Sequence, residues 1–326
     1  MYSSKLSVKE TERAIKWIKD SFETLFKKTL NLERVSAPLF VKKESGINDM
    51  LTGKERPLSF AYQDDELEVV QSLAKWKRDA LARYGFKKGE GLYTDMDAIR
   101  PDETLSYLHS LYVDQWDWEY ILPESQRRDT EFLQSIVHSI YEVLKSLDRK
   151  VASQYNALYT KLPEVLHWVH AETLKEAYPS FTPKEREEII AKKWRAVFIQ
   201  GIGKESSHGR IHEARSPDYD DWRLNGDIIV WHEPLGKALE LTSMGIRVDA
   251  ERLRTQLEID GSIARQKMPF HQKLLQGGYP DTIGGGIGQS RLCLFLLEKM
   301  HIGEVQASYW PEAMRKACEK HNIPLL

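Results

Sequence analysis

Ile283-Gly-Gly-Gly-Ile-Gly-Gln-Ser-Arg-Leu292 decides how this chain is read. Four glycines in five positions let a ligand approach the backbone closely, because no Cβ stands in the way. The stretch from Gln289 to Leu297 behind them reads as a buried helix whose first turn carries Arg291. An arginine at a helix start beside a glycine ribbon suits a polyphosphate. A tight strand-to-helix turn, with the glycines there for packing alone, accounts for the same residues without a ligand. No phosphate loop of the G-x-x-x-x-G-K type occurs, and strands and helices mix without a βαβα rhythm. The expected fold is α+β, with a largely antiparallel sheet flanked by helices.

Working outward, Asp227 to Trp231 and Leu239 to Val248 read as strands, with Asp227 and Glu240 set among apolar residues. Buried carboxylates are costly unless paired or metal-bound. Mg²⁺ held by one or two carboxylates and substrate phosphates is a common solution, and two half-exposed strands facing solvent would serve equally. Ser110 to Glu119 alternates, so Leu111, Val113, Gln115 and Asp117 share one face. Polar groups that continue an apolar face line a pocket. Ser72 is expected to cap a helix that carries Lys77 and stops near Gly85. Asp117 suits the ammonium of an α-amino acid and Lys77 a carboxylate; a solvated helix face is the plainer role for a lone lysine. In Ile99-Arg-Pro-Asp-Glu103, read as extended, Arg100 can fork onto a phosphate and Glu103 can accept from an exocyclic amine. A surface ion pair beside a Pro-Asp turn is the alternative.

The remaining elements follow from periodicity. Ser7-Val-Lys-Glu10 is a capping box opening an amphipathic helix over about residues 8–29. Val35 to Phe40 is an edge or interface strand because of Pro38. Leu67 to Gln71, Leu92 to Thr94, the stretch around Ile99, Val165 to Val169 and Val197 to Ile202 read as extended. Helices are expected from Phe132 to Val151, from Thr182-Pro-Lys-Glu185 to Trp194, and over 250–258 and 270–276. Gly203 to Leu224 is polar and holds no periodic element, as a lid or a disordered piece would.

The 326 residues, 41% of them hydrophobic, are read as a single catalytic domain over 1–326. Lys+Arg is 47 and Asp+Glu 49, a net charge of -2 that speaks against a nucleic-acid partner. Cys293 and Cys318 are isolated, which disfavours a zinc site and suits a reducing compartment. The N-terminus lacks a signal-peptide core, and the run Leu292 to Leu297 is too short to cross a bilayer. A cytoplasmic protein with no membrane contact is expected.

Three of these segments, in this order, resemble the signature motifs of class II aminoacyl-tRNA synthetases: Leu32-Glu-Arg-Val-Ser-Ala-Pro38, Arg100-Pro-Asp-Glu103 and Gly286-Ile-Gly-Gln-Ser-Arg291. The chain is more closely similar to the ammonia-dependent asparagine synthetases, which share that fold. Ser72 to Arg78, Tyr112 to Glu119, Pro217 to Trp222, Leu224 to Asp227, Ser243 to Asp249 and Thr282 to Arg291 carry this likeness over nearly the whole chain. It departs from the family in a short stretch between Trp222 and Asn225, and in Gln71, where histidine is frequent. The resemblance implies ATP, Mg²⁺, L-aspartate and ammonia, and a homodimer built around the Pro38 motif. It assigns Arg100 to the α-phosphate, Arg291 to the outer phosphates, and Glu103, Ser110, Gly286 and Gly288 to ATP. Asp227 and Glu240 would be Mg²⁺ ligands. Lys77, Gln115, Asp117, Ser243 and Arg247 would orient aspartate, Asp49 would lie close to it, and Arg215 and Asp220 would close over the site.

Such an enzyme would couple aspartate to AMP and let ammonia displace it, with Asp49 or Asp220 taking the ammonium proton. The chain starts Met1-Tyr2, without the cysteine of an N-terminal nucleophile, so free ammonia is the expected nitrogen source. An aspartyl- or asparaginyl-tRNA synthetase-like enzyme is the alternative; it would need an anticodon domain or a basic surface. A non-catalytic amino-acid sensor would not need both motif arginines and both acidic metal positions.

Overall fold

The computed structural model describes residues 2–52, 55–123, 128–204 and 213–326. The chain runs α1 (Val8–Thr29), β1 (Leu32–Arg34), β2 (Phe40–Lys42), β3 (Ser59–Tyr62), β4 (Asp65–Val69), α2 (Ala74–Tyr84), β5 (Gly91–Ile99), β6 (Tyr112–Ile121) and α3 (Thr130–Gln154). It continues through β7 (His167–His170), α4 (Ala171–Ala177), α5 (Pro183–Trp194), β8 (Ala196–Gln200), β9 (Asp220–His232), β10 (Lys237–Arg247) and α6 (Ala250–Asp260). The last elements are α7 (Pro269–Leu275), β11 (Thr282–Gly288), α8 (Gln289–Leu296) and α9 (Glu312–Lys320). Among the described residues the main sheet has the order β1-β5-β6-β11-β10-β9-β8-β7. Its outer pairs β1/β5 and β7/β8 are parallel and every inner pair is antiparallel. No helix among those residues is long and apolar enough to cross a membrane.

Strand β6 shows how the two faces divide. Trp116 and Trp118 point one way and are fully buried. Phe22 of α1 stacks on Trp116 at 4.2 Å between ring centroids, and Phe26 meets Trp118 edge-on at 6.1 Å. The capping box at Ser7 and Glu10 starts α1, and its stripe of Ala14, Ile18, Phe22 and Phe26 packs on that face. Gln115, Asp117 and Glu119 point the other way. On that side Trp76, Ala80 and Leu81 of α2 cover Leu92, Met96 and Ala98 of β5, while Ile190 and Ala191 of α5 cover Val197, Ile199 and Ile229. The middle of the sheet lies open between these two helices.

Several expected boundaries move. The strand expected at Val35–Phe40 does not form there; strands lie on either side of it. Leu32–Arg34 pairs with β5, and Phe40–Lys42 joins a second small sheet of order β2-β4-β3. Val35 N–H still donates to Tyr93 O at 2.9 Å. Pro38, which has no N–H to give, lies between the two pieces. The segments near Leu92 and Ile99 are one strand. The polar stretch Gly203 to Leu224 does contain a regular element, because β9 begins at Asp220; residues 205–212 of it lie outside the described residues. Its first two residues are buried acids held by arginines, Asp220 by Arg247 and Asp221 by Arg223, Arg128 and Arg252. Hydrophobic periodicity does not register a strand of that kind.

Candidate active site

A cleft of about 400 Å³ opens over the uncovered middle of the sheet. Strand register lays out its floor. Asp117 stands opposite Gly286, Gly286 opposite Ser243, and Ser243 opposite Asp227, so four strands contribute one transverse row. Gly284 and Gly288 flank that row beside Glu119 and Gln115. A Cβ at Gly286 would lie 2.5 Å from Gln115 Oε1 and 2.9 Å from Asp117 Oδ1. At Gly284 it would collide with Glu119 Oε2. The glycines therefore leave room first for the acidic and amide side chains that lean over β11.

One end of the cleft is built from buried ion pairs. Lys77 Nζ lies 3.0 Å from Asp117 Oδ1 and donates to Gly285 O at 2.9 Å. Asp117 Oδ2 accepts from Leu73 N–H at 3.2 Å, and Asp49 Oδ2 from Ala74 N–H at 2.6 Å. Leu73 and Ala74 open α2, so two carboxylates from distant parts of the chain cap that helix, where unpaired N–H groups and the macrodipole favour anions. The expected cap, Ser72, reaches Ala74 N only at 3.4 Å. Arg247 grips Glu119 with Nε (3.0 Å) and Nη2 (2.7 Å) and gives Nη1 to Asp220. Burial pushes the Glu119 carboxyl up, but Arg247 outweighs it and holds it below the usual range. For Asp220 burial outweighs Arg247 and the carboxyl is raised.

The other end is rich in cations. Arg100 heads a tight turn after β5, in which Glu103 N–H donates to Arg100 O at 3.2 Å, in place of the expected extended segment. Its Nη2 reaches Gln71 O at 3.4 Å, and its Nε is buried without a hydrogen-bond partner. Arg291 Nη1 lies 3.5 Å from Glu240 Oε2. Arg215 donates to Ser243 Oγ at 2.8 Å and to Asp227 Oδ2. Asp227 Oδ1 is buried with no partner. Burial, with Glu240 nearby, raises the Asp227 carboxyl; at Glu240 burial acts upward too, but Arg291, Arg215, Lys184 and Arg100 prevail and lower it. Ser110 Oγ shares a 2.8 Å hydrogen bond with Ser308 Oγ.

All the expected site residues line this cleft except Asp49, which sits behind the start of α2, and Asp227, which lies under Arg215. The sequence reading passed over Asp114, Glu119, His109 and Lys184. Asp114 accepts from Ser290 N–H (3.0 Å) and Oγ (2.8 Å) and so caps α8, the helix that carries Arg291. Its signal was available: it is the one acid on the Trp116–Trp118 face of β6, where a lone carboxylate would be costly.

The sequence profile described as aspartate-ammonia ligase matches residues 9–322. The chain is 51% identical over its full length to the aspartate–ammonia ligase of Limosilactobacillus reuteri, of which 98% is covered. It is 54% identical, again over its full length, to the aspartate–ammonia ligase of Clostridium perfringens, with 97% covered. The chain belongs to the aspartate–ammonia ligase family. Solved structures similar in fold include the asparaginyl-tRNA synthetase of Entamoeba histolytica, bound to asparaginyl-adenylate. It has a TM-score of 0.66 and 12% identity, with 92% of this chain and 66% of that one covered. The asparaginyl-tRNA synthetase of Pyrococcus horikoshii gives a TM-score of 0.63 at 14% identity, with 93% and 70% covered. The expected class II synthetase fold is thus the observed one. As a member of its family the chain is an ATP-dependent ligase, an asparagine synthetase.

Asp49 gives this ligase a pH signature. Burial lifts its carboxyl from 3.8 to about 6, against the pull of Lys75 at 3.8 Å. The folded state then binds the Asp49 proton more tightly than the unfolded chain, so this group costs stability as pH rises from about 4 to about 6. Asp49→Asn keeps an oxygen for Ala74 N–H and removes the titration. Relative to wild type, it should gain up to about 3 kcal/mol between pH 4 and pH 7 in urea denaturation. A difference that does not change with pH would show that Asp49 does not titrate in that window.

Proposed function

We propose that the cleft joins L-aspartate to ATP at the side-chain carboxylate, releasing pyrophosphate, and that free ammonia displaces AMP from the β-aspartyl-adenylate to give L-asparagine. One observation carries this reading in detail: the glycine strand runs from an end made of buried ion pairs, where Glu119 and Arg247 meet beside Gly284, to an arginine-rich end, where Arg291 follows Gly288. Family membership supports the overall reaction; the individual roles below rest on the geometry.

A carboxylate resists an incoming amine because of its negative charge. Transfer of AMP removes that charge and provides a leaving group. Asp117 and Lys77 would take the ammonium and α-carboxylate of aspartate, with Gln115, Ser243 and Arg247 shaping the rest of the pocket. Arg100 would fork onto the α-phosphate and Arg291 onto the outer phosphates, stabilising charge as the P–O bond to pyrophosphate breaks. Glu103, Ser110, Gly286 and Gly288 would hold the nucleotide.

Asp227 and Glu240 would hold Mg²⁺, and the fit is physical: Asp227 Oδ1 is a buried oxygen without a partner, and Glu240 is about a third exposed into the cleft beside it. Mg²⁺ there would neutralise triphosphate charge. Of the two carboxylates that could take the ammonium proton, Asp220 lines the cleft and Asp49 does not, which favours Asp220 as acceptor and leaves Asp49 to fix α2.

The chain would act as a homodimer. Leu39, Phe40, Phe60 and Tyr62 are exposed next to Pro38, with Phe40 and Phe60 in edge-on contact at 5.2 Å. Such a patch suits a self-complementary interface. Sedimentation at micromolar concentration should give twice the chain mass; a monomer would remove this proposal.

Incubation with aspartate, ATP and ammonium should yield asparagine and AMP in equal amounts, and ADP in place of AMP would sink the adenylate route. Arg100→Lys should melt like wild type yet lose about a hundredfold in ATP–pyrophosphate exchange, because lysine keeps the charge but not the fork. Exchange near the wild-type rate would take Arg100 out of the site.

A further inference from the structure

The cations of the cleft are not equivalent. Lys77 is neutralised by Asp117, Arg247 by Glu119 and Asp220, and Arg215 by Asp227. Lys184 stands apart from them. Its side chain is 68% exposed, it lines the cleft at the arginine-rich end, and its ion pair at 3.2 Å is with Glu187, one turn along its own helix. It also occupies an unfavourable place. It is the second residue of α5, inside a capping box formed by Thr182 and Glu185. The N–H groups and macrodipole of a first turn favour anions, and a lysine there works against them. Local rules are broken most often where function requires it.

Two further observations tell what the lysine faces. Glu240 feels Lys184 together with Arg291, Arg215 and Arg100. His109, which lines the same end, is kept neutral by burial with Arg291 and Lys184 both opposing its protonation. Lys184, from α5, and Arg291, from α8, therefore both act on the end of the cleft that holds Glu240 and His109. In the reading proposed above, the α-phosphate goes to Arg100, so that space receives the two phosphates beyond it.

Resting on that functional reading, we propose that Lys184 is a substrate-contacting residue that grips the β- and γ-phosphates of ATP and the pyrophosphate that leaves. AMP lacks both of these phosphates, and this provides the test. Product inhibition by pyrophosphate and by AMP is measured on the wild-type enzyme, Lys184→Ala, Lys184→Arg and Glu187→Gln. Lys184→Ala should raise the KM for ATP and weaken pyrophosphate inhibition about tenfold, with AMP inhibition and melting temperature unchanged. Lys184→Arg should recover most of the loss, and Glu187→Gln should behave like wild type. The proposal is overturned if pyrophosphate inhibition survives in Lys184→Ala, if AMP inhibition falls in parallel, or if Glu187→Gln reproduces the defect. A wild-type enzyme that makes no asparagine would overturn the functional reading itself, and the role of Lys184 with it.

Discussion

The Glu119–Arg247 ion pair crosses over a strand that carries no side chain beneath it. Glu119 belongs to β6 and Arg247 to β10, and β11 runs between them. A Cβ at Gly284 would lie 2.5 Å from Arg247 Nη2 and collide with the Glu119 carboxylate. Two buried charges need close contact and further hydrogen bonds to offset desolvation. Here Thr282 Oγ1 adds one at 2.6 Å to Glu119, and Asp220 takes the remaining arm of Arg247. The glycine ribbon is thus a steric requirement of this pair and of Gln115 and Asp117 next to it.

Helix α2 is tied to that floor through its ends and its charges. Asp49 and Asp117 cap its first turn, Lys77 reaches across to β6 and β11, and Lys75 turns the other way to Asp218 at 3.3 Å. Asp218 also receives His271 (2.9 Å) and Arg265 (3.3 Å). Burial raises a carboxyl, but these three neighbours hold Asp218 well below the usual range. Asp218 lies between Arg215 and Asp220 in the chain. One buried hub therefore sets both the helix that bears Lys77 and the segment that bears the residues over the cleft. Removal of any single partner would leave buried charge less well compensated.

Much of this was legible in the sequence where one residue's environment is decided by its near neighbours. The capping box and apolar stripe of α1 follow the helical period, and the alternation in β6 correctly put Gln115 and Asp117 on the cleft face. Strand β3 gave no signal because Ser59–Tyr62 is exposed at every residue, so there is no alternation to find. The buried polar residues failed for the opposite reason. Asp220 looks like loop until Arg247, 27 residues away, is known to neutralise it. That Asp49 and Asp117 also accept the N–H groups of Ala74 and Leu73, 25 and 44 residues away, could not be read locally either. A carboxylate that caps a distant helix has no local pattern.

The pairs seen at the arginine-rich end fit this logic. Arg291 rests near Glu240 and Arg215 on Asp227. An unpaired buried charge costs several kcal/mol, and these pairs keep most of the cleft's own charges occupied. In the proposed reading, the arginines would pass from carboxylate to phosphate, and Asp227 and Glu240 would be the residues to hold Mg²⁺ and neutralise triphosphate charge. Arg100 is the exception. Its guanidinium has a backbone carbonyl at 3.4 Å and a buried Nε with no partner; among the described residues Glu103 and Glu240 act on it without a direct ion pair. In the proposed reading such an arginine would act on the α-phosphorus, where charge develops in the transition state and stabilisation contributes to rate.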